Sequence, residues 1–89
     1  MNATQMAAHI RNRIKAAGIK ANVRVAPGRG AVVQVNAPAY GVDFTEDQQR
    51  EIRHIAVCNR LTWACGQPID VDQMTNPHSF NFYLNHEKV

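Results

Sequence analysis

His54 and Cys58 stand four residues apart, with Cys65 and His78 further along. All four are ligand types suited to zinc. The order H-x3-C-x6-C-x12-H matches no standard zinc spacing, and neither cysteine belongs to a C-x2-C pair. A thiol activated by an imidazole would use Cys58 or Cys65 with His9, His54, His78 or His86, and no local signature singles out one pair. Asp70 and Asp72 would share a face of an extended segment and could hold a cation or trade a proton, although a solvated loop accounts for both. Neither G-x-x-x-x-G-K-[ST] nor G-x-G-x-x-G is present, so no phosphate-cradling loop is expected. These observations point to no catalytic residue, no metal and no cofactor. The expected activity is binding.

The basic residues carry the stronger signal. Up to Val42 the charged side chains are Arg11, Arg13, Lys15, Lys20, Arg24 and Arg29, with no acid among them. From Asp43 onward seven acids face Arg50, Arg53, Arg60 and Lys88. The halves carry +6 and −3, within a total of +3. A basic half suggests an acidic partner, of which nucleic acid is the commonest. A solvated basic face with no dedicated partner is the plainer account.

The chain has 89 residues, enough for one domain spanning 1–89. Such a chain buries roughly 60 to 65% of its unfolded surface, which leaves little room for a deep active site. Asn2 to Ile10 is too short and too polar for a signal peptide. No stretch approaches the roughly 20 apolar residues of a membrane span. Two cysteines without an export signal are expected to be reduced, and the expected setting is the cytoplasm.

Elements to position these residues are well marked. Asn2 or Thr4 can cap a first helix whose Met6, Ile10, Ile14 and Ala17 form one apolar stripe, ending at Gly18. Arg11 and Lys15 then lie on one flank of the stripe and Arg13 on the other. Ala21, Val23 and Val25 alternate with Asn22 and Arg24; beyond Pro27-Gly28-Arg29-Gly30, Ala31, Val33 and Val35 alternate with Val32, Gln34 and Asn36. That is a hairpin, with Arg29 at its tip. Thr45 opens a second helix that buries Ile52, Ile55, Ala56 and Leu61, projects Arg50, Arg53 and Arg60 the other way, and stops between Leu61 and Gly66. Trp63, just beyond, is expected to seal the edge of the core. A short strand is possible at Ile69 to Val71. In the last strand, Ser79 to Asn85, the side chains of Phe80, Phe82 and Leu84 oppose those of Asn81, Tyr83 and Asn85. The expected fold is α+β, a small antiparallel sheet with two helices on one face, in the order α-β-β-α-β.

With the strands side by side, the open face of the sheet would present Asn22, Arg24, Gln34, Asn81 and Tyr83. An aromatic ring, a guanidinium and amides suit single-stranded nucleic acid, through stacking and phosphate contact. They suit a protein interface equally. With Arg11, Arg13, Lys15, Lys20 and Arg29 they make up the candidate binding residues.

The opening run Met1 to Met6, the hairpin Ala21–Asn36 and the helix Thr45–Leu61 together resemble a family of small phage-encoded anti-CRISPR proteins, the eighth of those directed at type I-F systems. The resemblance spans most of the chain and lies in its overall character. It implies a stoichiometric inhibitor that binds subunits of the type I-F RNA-guided surveillance complex in the cytoplasm of a bacterial host. The inhibitor would sit where target DNA pairs with the guide, so that hybridisation fails. Guide RNA would then be the acidic partner of the basic half, with no small-molecule substrate and no membrane. The family has no catalytic motif, so no residue role carries over. The same element order occurs in nucleic-acid-binding accessory proteins of phages and plasmids, which makes a free-standing one the alternative.

Overall fold

A computed structural model describes residues 2–26, 32–39, 41–63, 67–70 and 78–84. Helix α1 is Ala3–Ala16. Of the two candidate caps, Asn2 is the one used: its side chain accepts from Gln5 N–H, and Gln5 Oε1 accepts from Asn2 N–H. This reciprocal box satisfies two of the donors that every helix start leaves open. The buried face is Ala7, Ile10 and Ile14; Met6 is half-buried and Ala17 is the exposed C-cap. Gly18 adopts φ 78°. Its N–H donates to Lys15 O at 3.0 Å, and Ile19 N–H donates to Ile14 O at 3.2 Å. This is a Schellman stop, and it delivers Ile19 to the core beside Ile14.

Strands β1 (Asn22–Val25) and β2 (Val32–Asn36) pair antiparallel, with Val23 opposite Val35 and Arg24 opposite Gln34. The expected turn at Pro27–Gly30, and Arg29 with it, lies outside the described residues. Helix α2 is Glu46–Cys58, capped by Thr45 in a second reciprocal box with Gln48. Glu46 and Asp47 occupy its first turn, where the helix dipole favours anions.

Helix α2 stops earlier than the Leu61–Gly66 boundary expected from the sequence. Asn59 Nδ2 donates to Ile55 O at 2.8 Å, and Arg60 turns the chain back at φ 61°. Leu61 and Thr62 then form a strand, β3, rather than a helical end. Strand β4, Ser79–Leu84, pairs with both β2 and β3. The sheet order is β1-β2-β4-β3, antiparallel throughout. The chain is therefore a small α+β fold with the order α-β-β-α-β-β. Ile69 and Asp70 are not in a strand, and Val71 lies outside the described residues.

Both helices lie on one face of the sheet. Ile10, Ile14, Ile52 and Ile55 meet Val23, Val33, Val35, Phe80 and Phe82 in one core. Burying each of these side chains fully is worth about 1.5–3 kcal/mol. Trp63 stacks on Phe82 with centroids 5.3 Å apart, Phe82 on Phe80 at 5.7 Å, and Phe80 on Phe44 at 6.0 Å. Trp63 is half-buried at the end of this row, as a residue sealing the core edge should be.

The sequence places Arg53 with the solvated arginines of α2, and the structure overturns this. Arg53 is 0% exposed, with its guanidinium carbon 5.6 Å from the centre of the Phe80 ring. The ring's negative face offsets part of the cost of burying a charge. Arg50 does lie at the surface, 3.6 Å from Asp47 Oδ1, and Arg60 lies beyond the helix. Among the described residues no helix is long and apolar enough to cross a membrane.

Candidate nucleic-acid interface

Because side chains alternate along a strand, the residues opposite the helices form rows across the sheet. The register sets Arg24, Gln34 and Asn81 in one row. Asn22, Asn36 and Ser79 form the next row, and Val32, Tyr83 and Thr62 form the one on the other side. The central row is tied together. Arg24 Nε donates to Gln34 Oε1 at 3.0 Å, and Asn36 Nδ2 donates to the same oxygen at 3.1 Å. Gln34 Nε2 donates to Asn81 Oδ1 at 3.1 Å. Gln34 is the hub, and its amide orientation follows from its partners.

This network fixes what the face offers. The Arg24 guanidinium is held by Nε, so recognition falls to its terminal nitrogens. Asn81 accepts from Gln34 and presents its own NH2 group as a donor. A row of pre-aimed donors on the open sheet face can meet phosphate oxygens or base edges. Tyr83 lies in the adjacent row and is half-buried, so only part of its ring is open to stacking. In that same row Val32 is buried, so it adds no exposed surface beside Tyr83.

The other basic candidates are not gathered on this face. Arg11, Arg13 and Lys15 belong to α1, on the helix-covered side. Arg11 has a local role. Ala26 N–H donates to Val32 O at 3.0 Å, so by alternation Val23 and Val25 turn their backbone groups to the outer edge of β1. Arg11 Nη2 donates to Val23 O at 2.6 Å and so occupies part of that edge. Arg13 and Lys15 are exposed in the last turn of α1, where the helix dipole favours cations. Lys20 is exposed between α1 and β1. Arg24 is thus the one basic candidate that the described residues bring to the open face.

Sequence reasoning left Asn36 and Asp43 out of the candidate residues and weighed His78 only as a metal ligand or the partner of a thiol. Asn36 shares the period of Gln34 and was legible by alternation. Asp43 and His78 pair with Oδ1 to Nδ1 at 3.4 Å, but they lie in separate loops with no sequence signal to join them. His54 and Cys58 contact each other on α2 at 3.6 Å, Nε2 to Sγ. Cys65 lies outside the described residues. Among the described residues no three His, Cys, Asp or Glu side chains gather in a way that could hold a metal ion.

Compared with protein-family models, curated proteins and solved structures, the chain matches none.

Proposed function

We propose that the chain acts without catalysis, as an inhibitor that binds the type I-F RNA-guided surveillance complex. It contacts protein subunits and guide RNA and blocks hybridisation of target DNA, in the cytoplasm of a bacterial host. The observation that carries this reading is the hydrogen-bonded row Arg24–Gln34–Asn81 on the sheet face that the helices leave open. Its donors are held in place before any partner arrives, which lowers the entropic cost of binding. The basic first half and acidic second half suit a partner with both RNA and protein surfaces. The family resemblance of the sequence names such a partner.

Two measurements test the proposal together. Binding to the assembled type I-F complex is measured beside binding to bare single-stranded RNA and duplex DNA, each over a salt series. The proposal expects tight binding to the complex. Tight, salt-sensitive binding to bare nucleic acid with none to the complex contradicts it and favours a free-standing nucleic-acid-binding protein.

A further inference from the structure

At the end of the sheet where β1 starts and β2 ends lies a cleft of about 660 Å³. Asn22, Ala37, Pro38, Asp43 and His78 are among its lining residues. A second hollow of about 280 Å³ shares Pro38 and Asp43 with it and adds Lys20. The larger space falls in the range of sites for small ligands, roughly 300–1,000 Å³. Ala37 and Pro38 supply apolar wall. The Asn22 amide supplies a donor and an acceptor side by side. Asp43 supplies a carboxylate with Oδ1 3.4 Å from His78 Nδ1, and a carboxylate has acceptor capacity beyond one such contact. Lys20 supplies an exposed cation in the adjoining hollow. Asn22 also heads the row of Asn36 and Ser79, next to Arg24, so the cleft continues the open face.

We propose that this cleft holds one unpaired adenine nucleotide of a bound RNA strand. The base lies along Ala37 and Pro38, Asn22 and Asp43 read its edge, and Lys20 meets a neighbouring phosphate. An Asn amide pairs with the N6 amino group and N7 of adenine together. The Asp43 carboxylate accepts from an exocyclic amino group, which uracil lacks. An isolated phosphate fits the larger cleft poorly, because the Asp43 carboxylate lines it and Lys20 does not. A basic side chain from a protein partner would engage the Asp43 carboxylate but meet the Lys20 cation in the adjoining hollow. This inference rests on the reading of the open face as RNA-binding, and it adds a base preference which that reading does not require.

The probe is adenosine monophosphate, followed by amide chemical shifts of the full chain, with uridine monophosphate and N-acetylarginine amide as comparators. The expected result is shifts centred on Asn22, Ala37, Asp43 and His78 with adenosine monophosphate, and about tenfold weaker binding of the uridine nucleotide. Asn22→Ala weakens the adenine nucleotide about tenfold, while Lys20→Ala weakens the nucleotide but not the nucleoside adenosine. Asn22 and Lys20 are both exposed, and a thermal melt of each variant confirms that the fold is kept. Shifts confined to the Arg24 row, equal response to both nucleotides, or a response to the arginine probe alone overturns the proposal. Single-stranded RNA binding by wild type in the same samples separates the two readings: RNA binding without cleft shifts removes the cleft alone, and absence of RNA binding removes the face as well.

Discussion

Replacing Gln34 by alanine separates preorganisation from charge on the open face. The substitution removes the hub of three side-chain hydrogen bonds while leaving every charge in place. Gln34 is half-buried and its bonds to Arg24 and Asn81 are exposed, so each bond contributes at the low end of the usual 0.5–1.5 kcal/mol. The expected loss of stability is about 1.5 kcal/mol, which leaves the protein folded. The loss in binding is larger, because Arg24 and Asn81 must be immobilised anew on the partner. At about 0.5–1.5 kcal/mol per side chain, affinity falls about fivefold to a hundredfold. The salt dependence stays as in wild type, because no cation is lost. Arg24→Ala behaves differently: it weakens binding and also flattens the slope of log K against log salt by about 0.7 for single-stranded RNA. Fluorescence anisotropy over a salt series reads both quantities. Wild-type affinity in a folded Gln34→Ala variant refutes the idea that the hydrogen-bonded row prepares the face.

Three predictions concern the scaffold. Arg60 takes the left-handed position after α2, where a Cβ costs about 1–2 kcal/mol, so Arg60→Gly should raise the melting temperature by roughly 4–8 °C for each kcal/mol recovered; an unchanged or lower Tm contradicts the strain. Arg53→Ala empties a fully buried site and removes the contact with the Phe80 ring, so urea unfolding should show a loss of about 3 kcal/mol or more, and Arg53→Met, which keeps the stem, should cost less; a cost under about 1 kcal/mol for alanine would mean that Arg53 is not packed as described. Arg11→Ala removes a charged donor from Val23 O at the edge of β1, so it should lower stability by about 1.5 kcal/mol and leave RNA affinity within twofold of wild type; a large affinity loss with unchanged stability would move Arg11 into the interface.

Local signals made much of the fold legible. Asn2 or Thr4 and then Thr45 mark the two helix starts, of which the structure uses Asn2 and Thr45, and Gly18 announces a helix end. Period-two alternation assigns Val33, Val35, Phe80 and Phe82 to the core and Gln34 and Asn81 to the other face. Strand β3 was not legible, because two residues are too short to show a period; they become a strand only by pairing with Leu84 and Tyr83. Arg53 was misread because residue type outweighed position. It lies about 60° round the helix from Ala56, close enough to share the buried face. The lateral order that joins Arg24, Gln34 and Asn81 is a property of strand pairing across 47 residues between Gln34 and Asn81, which no local pattern reports. The contact of Asp43 with His78 likewise depends on where two loops end in space.

Stoichiometric obstruction of the guide is tested most directly by a titration. A fluorescent target strand is offered to a fixed amount of assembled type I-F complex while this protein is added in increasing amounts, and hybridisation to the guide is read by quenching. The account predicts a linear loss of hybridisation that ends at a small whole-number ratio of protein to complex, weakened in parallel by Arg24→Ala and Gln34→Ala. Undiminished hybridisation at a large excess of protein, or complete loss at far below one protein per complex, contradicts it.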